Sequence, residues 1–315
     1  MLDVPVAFLI FNRPDLTALV FAEIARARPR TLYVIADGPR DESDGEDCAA
    51  ARQVIEGVDW DCRVVTHYSD VNLGCKSRVS SGLTWLFEQC EAAIILEDDC
   101  LPHPSFFPYC AELLERYRDD ERVMMISGDQ FQPALVNPDY SYCFSQYSLI
   151  WGWATWRRAW RLYDVDMALF PVVRALPGFR SRIQPPRARR FWLRVFENQY
   201  LQKVDTWDYQ WQFACWVQGG FTILPAVNLI SNIGFRDDAT HTKGTDPKTK
   251  NTMSALPTSE MPLPLIHPPF VLRQPEIDAA TCHLFREADR NGRTFLKRFL
   301  RRAASLLRPR NAPER

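Results

Sequence analysis

Short apolar runs alternate with segments of helical spacing along the first 130 residues. Apolar runs bounded by turn-forming residues are typical of buried strands, and apolar residues three and four apart are typical of helices. The runs predict strands over Val6–Phe11, Leu32–Ala36, Arg63–Thr66, Ala93–Leu96 and Val123–Ser127. The helical spacing predicts helices over Leu16–Ala27 with Asp15 as N-cap, over Asp47–Val58, from the residues after Arg78 to about Cys90, and over Pro104–Tyr117. This alternation predicts an α/β fold, with a mostly parallel sheet and right-handed crossovers.

The pattern changes after Gly128, where aromatic residues become frequent. The segment Trp151–Trp160 reads as a turn that enters a helix. Further helices are predicted over Phe191–Leu201 and from Asp205 to about Gln218, short strands over Phe221–Leu224 and Asn228–Ser231, and a polar loop over Gly234–Asn251. We therefore predict one large domain, residues 1–285, with halves 1–128 and 129–285, followed by a tail over 286–315.

Charge is unevenly distributed along the 315 residues. Residues 286–315 carry a net charge of +7 and the other 285 residues carry −8. An acidic body argues against nucleic acid as its partner. The N-terminus shows no signal-peptide pattern, no apolar run is long enough to span a bilayer, and nine cysteines include no C-x-x-C pair. These features predict reduced thiols and a cytoplasmic location.

Three consecutive carboxylates, Glu97, Asp98 and Asp99, follow directly on the apolar run Ala93–Leu96. Parallel sheets bind ligands beyond the carboxyl ends of their strands, so these acids are expected where a ligand lies. Strand alternation would place Glu97 and Asp99 on one side and Asp98 on the other. A divalent cation shared with substrate phosphates would relieve their repulsion. The alternative is a solvated acidic turn.

Two further residues end strands on the same predicted edge, Arg13 after the first strand and Asp37 after the second. With a metal ion nearby, this combination suits a nucleoside diphosphate. Lys76 and Arg78 are candidate phosphate contacts. The alternatives are a surface ion pair for Arg13, a turn-forming acid for Asp37 and a solvated face for the two cations. The chain has no G-x-G-x-x-G or G-K-[ST] loop, which disfavours a dinucleotide oxidoreductase and a P-loop phosphotransferase.

The segment from Glu97 to Phe107 resembles the metal motif of the GT-A nucleotide-sugar glycosyltransferases, in which an acidic triplet precedes a proline and two aromatic residues. The resemblance is to the N-acetylglucosaminyltransferase I type and to bacterial family-2-like enzymes, and it extends over most of residues 5–245. It implies that Asp99 ligates Mn²⁺ (or Mg²⁺), and that Glu97 and Asp98 contact sugar or ribose.

Other segments resemble the same family. Asn12-Arg13-Pro14 is similar to its Asp-Arg-Ser segment, which implies that Arg13 lies by the nucleotide, and Asp37 corresponds to the acid that reads a uracil edge. Trp151-Gly152-Trp153 looks like the family's Gly-Trp segment before the acceptor region, which implies that Trp151 and Trp153 contact the acceptor.

Trp207-Asp208-Tyr209-Gln210-Trp211 resembles the family's Trp-Asp-Asp-Trp segment, which carries the catalytic base. Its spacing differs by one residue and it keeps one of the two acids, so Asp208 is the implied base and Asp205 the reserve. Trp207 is the third implied acceptor contact. Ala239-Thr240-His241 is similar to the Ser-His-Gly loop, which implies that His241 contacts metal or diphosphate.

The resulting hypothesis is a metal-dependent, inverting hexosyl- or N-acetylhexosaminyltransferase. Its donor would be a nucleotide sugar, UDP-linked by the resemblance, and its acceptor a saccharide or a lipid-linked glycan. One alternative is a nucleotidyltransferase on a similar sheet, which would show a Gly-rich basic loop after the first strand. The other is a non-catalytic saccharide-binding protein with a relict site.

The last segment, Arg290–Arg310, has eight basic residues, no acid and an apolar helical face that includes Phe295, Phe299 and Leu306. Such a helix is typical of binding to an anionic membrane surface, which would place the protein at the inner face of the membrane. The alternative is a flexible basic tail or a partner-binding helix.

Overall fold

A computed structural model gives the structure of residues 1–235 and 255–306, with side chains described as far as residue 290. The predicted metal contact His241 and the last four residues of the predicted membrane helix, 307–310, lie outside the described residues. Within these ranges, no helix combines the length and the apolar character needed to cross a membrane.

Among the described residues, eight strands form the central sheet and two more form a small separate ribbon. The strands are β1 (Val6–Ile10), β2 (Thr31–Ala36), β3 (Arg63–Tyr68), β4 (Ala92–Glu97), β5 (Cys100–Pro102), β6 (Val123–Ser127), β7 (Tyr142–Ser145), β8 (Trp153–Trp156), β9 (Phe221–Pro225) and β10 (Ile230–Asn232). The sheet order is β3-β2-β1-β4-β8-β6-β9-β7, and β5 pairs with β10. Strands β1 to β4 are parallel, whereas β7 and β8 run antiparallel to their neighbours. The predicted mostly parallel α/β sheet is confirmed.

Helices cover both faces of the sheet. They are α1 (Pro14–Ala27), α2 (Glu42–Gln53), α3 (Gly74–Gln89), α4 (Phe106–Arg116), α5 (Arg157–Trp160), α6 (Phe170–Val173), α7 (Pro177–Arg182), α8 (Pro186–Tyr200), α9 (Asp208–Val217) and α10 (Pro275–Leu306). Alternation along β1 explains the layers, because Phe8 packs in the cluster that contains Ile24 of α1, and Leu9 packs with Leu83 of α3. The site therefore rests on a three-layer core that is apolar on both sides of the sheet.

The two halves of the chain interleave in this sheet. Strand β6 belongs to the first half, yet both of its neighbours, β8 and β9, come from the second. All five residues of β6 are buried. The halves 1–128 and 129–285 therefore share one sheet and one core.

Several predicted elements differ from the structure. Trp153–Trp156 is a strand, not the start of a helix, because it pairs with both β4 and β6. The helix predicted from Asp47 begins at Glu42, since Asp41 accepts hydrogen bonds from the first-turn amides. Asp15 lies inside the first turn of α1 and does not cap it.

The C-terminal helix is longer than predicted. It starts at Pro275, fifteen residues before Arg290, and it packs on β7 and α8. Residue 286, where the tail was predicted to begin, lies within it. The helical backbone predicted from Arg290 is confirmed as far as Leu306, while binding of this segment to a membrane stays a prediction.

Candidate active site

A cavity of about 740 Å³ opens at the carboxyl ends of β1, β2 and β4. The strand order reverses between β1 and β4, and such switch points are where open α/β sheets bind ligands. The predicted site residues that line it are Arg13, Asp37, Glu97, Asp98, Asp99, Trp151, Asp205, Trp207 and Asp208. Neither Lys76 nor Trp153 is among the lining residues, whereas Arg78 is.

Arg13 holds two of the three consecutive acids. Its guanidinium forms an ion pair with Asp98, and its Nη1 lies 3.1 Å from Asp99 Oδ2. The Phe11 amide also donates to Asp98. Strand β4 ends at Glu97 and a turn follows, so the alternation expected for the triplet stops there. The prediction that Asp98 lies opposite to Asp99 is wrong in this respect, because both reach the same arginine.

Burial changes the protonation of these acids. It raises the pKa of Glu97 to about 8, helped by the charges of Asp99 and Asp98. It raises the pKa of Asp98 to about 7, although Arg13 opposes the rise. Glu97 Oε1 is buried and has no hydrogen-bond partner among the described residues. Both shifts favour the protonated carboxyls, because burial disfavours the charged forms and Arg13 compensates only part of the repulsion among the three acids.

The Asp37 carboxylate organises the loop before α3. It accepts hydrogen bonds from the backbone amides of Gly38, Leu73 and Gly74 and from the side chain of Asn72. Only 7% of the residue is exposed. In this structure its oxygens hold protein backbone at the cavity wall, which is a positioning role that the sequence did not predict.

Asp205 caps α3 from a distant segment. Its carboxylate accepts from the Cys75 and Lys76 amides at 3.2 and 3.1 Å. The helix has no side-chain cap of its own, since its N-cap residue is Leu73. A carboxylate at a helix N-terminus satisfies free amides and complements the helix dipole. The carboxylate of Asp205, the reserve base, is thus occupied as a helix cap. Lys76 contacts this carboxylate through its backbone amide.

Asp208 is the first residue of α9 and lies at the cavity surface, where it accepts a hydrogen bond from Thr206 Oγ1. The preceding Trp207 is 2% exposed and stacks on Trp153, with ring centroids 5.6 Å apart. Trp153 is 1% exposed and belongs to the core beneath the cavity. The predicted acceptor contact through Trp153 is therefore wrong, because its ring is buried by other tryptophans.

Trp151, unlike Trp153, lies at the surface of the cavity. It lines the cavity, and its ring meets those of Phe131 and Phe235 edge-on at 5.6 and 5.5 Å. Its backbone amide donates to Asp129 Oδ2 at 2.9 Å. An aromatic ring fixed in this way offers an apolar face to a ligand in the cavity.

Sequence reasoning missed Asp129, which follows β6 by two residues and lines the cavity. It is 1% exposed, and burial raises its pKa well above the usual range. The signal was the acid after the apolar run Val123–Ser127, the same pattern that identified Asp37.

The far wall of the cavity comes from the C-terminal helix and α8. Phe285, Ala288 and Asp289 of α10 line it, and Asp289 pairs with Arg194 of α8 at 2.9 Å. Residues 275–290 therefore belong to the site as well as to the tail helix.

The donor atoms of the acidic cluster suit a hard divalent cation. Mn²⁺ and Mg²⁺ prefer carboxylate oxygens, and a cation bound here would favour the ionised forms of Glu97 and Asp98. Among the described residues, no three His, Cys, Asp or Glu side chains converge to hold a metal ion. A cation here would need further ligands, such as phosphate oxygens of a substrate.

No protein family model matches the chain, and no curated protein matches its sequence. Its fold is similar to several solved structures. TarS 1-349 of S. aureus has 10% identity and a TM-score of 0.37, over 52% of this chain and 49% of that one. Mouse xyloside xylosyltransferase 1 has 12% identity and a TM-score of 0.32, over 67% and 81%. A UDP-glucose pyrophosphorylase complexed with UDP-glucose has 10% identity and a TM-score of 0.26, over 46% and 64%.

The chain spans about half the length of the TarS structure. All three TM-scores lie below 0.5, and all three identities lie below 25%. These values are too low to transfer an activity.

Proposed function

We propose that this protein transfers a sugar from a nucleotide-diphosphate sugar to a hydroxyl group of an acceptor. The observation that carries the proposal is one cavity, at the switch point of the sheet, lined by Arg13, the acids Glu97 to Asp99, and Asp208. The first four residues suit a diphosphate with its cation, and the last suits a base for an attacking hydroxyl.

The leaving group in such a transfer is a nucleoside diphosphate on which negative charge grows. Arg40 and Arg78 line the same cavity as Arg13. Arg78 is 6% exposed and donates to the His67 backbone oxygen, and its Nε has no hydrogen-bond partner among the described residues. These guanidinium groups are preorganised donors for the charge that develops on the diphosphate.

Asp99 is the residue that we propose to hold a divalent cation, manganese or magnesium. It is the more exposed of the two acids paired with Arg13, at 17% against 3% for Asp98. Its backbone oxygen also anchors Ile233, immediately before the undescribed segment that contains His241. Bound there, the cation would supply electrostatic stabilisation of the departing diphosphate.

Asp208 is the proposed general base. Its position at the start of α9 lies beside the first-turn amides, which favour the charged carboxylate. A single base that removes the proton of an attacking hydroxyl is the requirement of an inverting displacement. The UDP moiety, a hexosyl or N-acetylhexosaminyl group and a saccharide or lipid-linked acceptor are the finer parts of the proposal, supported by the motif resemblance.

The proposed function is tested by thermal-shift measurements with nucleoside diphosphates and their sugar conjugates, with and without Mn²⁺. A ligand that binds the native state raises the melting temperature by mass action. We expect stabilisation by at least one nucleotide sugar that depends on Mn²⁺, and loss of that dependence in Asp99→Asn. Absence of stabilisation by every nucleotide would contradict the proposal.

Catalysis is tested by release of nucleoside diphosphate from the bound donor, with water as the slow acceptor. Asp208→Asn should keep donor affinity and lower the release rate by about 10²–10⁴-fold, the usual contribution of base catalysis. The exposed, distant acid Asp139 supplies the control, Asp139→Asn. Release of pyrophosphate from a nucleoside triphosphate would instead show a nucleotidyltransferase, and donor binding without any release would show a relict site.

A further inference from the structure

The strand register places Asp129 and Glu97 on either side of Trp151. Ile95 of β4 and Ser127 of β6 both pair with Trp153 of β8, which lies between them. Glu97 and Asp129 each lie two residues beyond these pairs along the chain, and Trp151 lies two residues before them, so all three residues follow the same end of the ladder and line the cavity. The bond from the Trp151 amide to Asp129 Oδ2, 2.9 Å long, confirms the register on one side.

Glycines make this close approach possible. Gly128 immediately precedes Asp129, and Gly152 immediately follows Trp151. The Gly128 amide donates a hydrogen bond to the Gly152 backbone oxygen at 2.7 Å. Gly152 has a φ of 59°, and a Cβ there would lie 2.3 Å from Ile230 Cδ1. A side chain at either glycine would clash with Ile230, which packs against both.

Asp129 has less hydrogen bonding than its burial requires. Oδ2 accepts from Trp151, but Oδ1 is buried with no partner among the described residues. A buried polar atom left without a hydrogen-bond partner is destabilising. Because Asp129 lines the cavity, a ligand there is able to supply the missing bond. Glu97 Oε1 is in the same condition on the other side of Trp151.

Burial also changes what Asp129 is able to offer. It raises the pKa of this carboxyl well above its usual range, which favours the protonated form. A protonated carboxyl both donates and accepts hydrogen bonds, as a hydroxyl does. An uncharged hydroxyl of a ligand is a suitable partner for such a group.

The chemistry of the three groups identifies the ligand class. Two carboxyl groups with an unsatisfied oxygen each flank an aromatic ring fixed by Phe131 and Phe235. A pyranose ring matches this set, because hydroxyls radiate from its edge while its C–H groups form an apolar face. A diphosphate has no apolar face and does not combine these properties.

We propose that Asp129 hydrogen-bonds a hydroxyl of the transferred sugar and, with Glu97 and Trp151, determines which sugar the protein accepts. This inference rests on the proposed function and adds the residue that reads the sugar. The proposal assigns Asp129 to the sugar and Arg13 and Asp99 to the diphosphate, so nucleotide binding and sugar recognition should be separable.

The test is calorimetric titration of the full chain with Mn²⁺ present, using nucleoside diphosphates and a panel of their sugar conjugates. The wild-type protein should bind one nucleotide sugar more tightly than the diphosphate alone. Asp129→Ala should lower that preference about tenfold, the equivalent of one well-placed hydrogen bond, and leave diphosphate affinity within about twofold. Unchanged diphosphate affinity also shows that the variant is folded.

A matched control is Asp278→Asn, another buried acid, which does not line the cavity. It should leave the preference for the sugar conjugate intact. Nucleotide conjugates of deoxy-sugars identify the hydroxyl that Asp129 binds. Removal of that hydroxyl should lower the affinity of the wild-type protein. It should not change the affinity of Asp129→Ala.

The outcomes separate the two proposals. Wild-type protein that binds no nucleotide would overturn the proposed function, and this inference with it. Wild-type protein that binds a nucleotide sugar, together with an Asp129→Ala variant that keeps the full preference, would overturn this inference alone. Equal wild-type affinity for the diphosphate and for every sugar conjugate would overturn it as well.

Discussion

Two regions of this protein bury an aspartate, and they treat it differently. At the joint between β7 and α10, Asp278 accepts from Ser145 Oγ at 2.6 Å and from the Gln146 amide at 3.1 Å. Its Oδ2 has no hydrogen-bond partner in the described structure, but it lies 3.3 Å from Arg273 Nε. At the cavity, Asp129 has one backbone donor and one oxygen without a partner in the described structure. The first acid is used to hold a helix to the sheet. The second pairs with no cation among the described residues, and it lines the cavity where a ligand is expected.

The acidic cluster on β4 shows the same incompleteness on a larger scale. Arg13 pairs with Asp98 and Asp99, and Glu97 keeps a buried oxygen without a partner among the described residues. Removing one partner of a buried ion pair is more costly than the pair is worth, because an uncompensated charge remains. The comparison therefore predicts that the joint between β7 and α10 is stable without a ligand. It predicts that a ligand would stabilise the cavity.

The largest effect is expected from Arg13→Ala. It leaves Asp98 and Asp99 without their cation, which should lower the free energy of unfolding by about 3–5 kcal/mol at pH 8. Urea unfolding measures this. The control is Arg30→Ala, whose partner Asp3 is 83% exposed, and it should change stability by less than about 0.5 kcal/mol. Equal effects of the two substitutions would show that the cluster is solvated.

The second prediction concerns pH and the structural acid. Burial raises the pKa of Asp278 to about 6, against 3.8 for the unfolded chain. The native state thus binds the proton more tightly, so this stabilisation is complete below about pH 4 and is lost as the pH rises through 6. Between pH 4 and 7 the wild-type protein should lose about 3 kcal/mol more than Asp278→Asn.

That difference is obtained from urea unfolding of both proteins at several pH values. Other buried acids change the free energy of unfolding with pH equally in the wild type and in the variant. The difference between the two curves therefore reports the contribution of Asp278 alone. Parallel curves would mean that Asp278 titrates alike in the folded and unfolded chains.

The third prediction removes the acid at the joint altogether. Asp278→Ala leaves Ser145 Oγ and the Gln146 amide without their acceptor, which should lower stability by about 1–3 kcal/mol. The measurement is chemical unfolding at pH 7. A loss well below this range would place the attachment of α10 elsewhere, in contacts such as Phe285 with Tyr147 and Trp192.

The smallest effect is expected at the cavity acid. Asp129→Asn keeps an acceptor for the Trp151 amide, so the free energy of unfolding should stay within about 1 kcal/mol of the wild type. The same unfolding assay compares it with Asp278→Ala. A loss larger than that of Asp278→Ala would reverse the comparison and make Asp129 a structural acid.

The sequence predicted the parts of the site that depend on parallel strands. Carboxyl ends of such strands meet at one edge, so Arg13, Asp37 and the Glu97–Asp99 cluster were expected together, and all of them line the cavity. Their hydrogen-bond partners were not predicted. The Asp37 carboxylate is occupied by amides 36 and 37 residues away, a contact that no local pattern encodes.

The second half of the chain, residues 129–285, was harder to predict. Its conformation depends on pairing with strands that are far away in the sequence. Trp153–Trp156 has the composition of a helix entry, yet it lies between β4 and β6 and becomes a strand. That pairing buries Trp153 and leaves Trp151 at the cavity. It also places Asp129 and Glu97 beyond the same end of the ladder, which no sequence motif indicated.

The interleaving of β6 has a consequence for how the chain folds. Strands β6 and β4 complete their ladders only when β8 and β9 arrive from residues 153–225, so the first half cannot finish its sheet while it is synthesised alone. A fragment that ends at residue 128 would present the apolar edges of β4 and β6 to solvent. The exposed edge of an apolar strand is able to form backbone hydrogen bonds with strands of other chains, which leads to aggregation. Long-range pairing of this kind is also slow, so the nascent protein passes through a stage in which aggregation competes with folding.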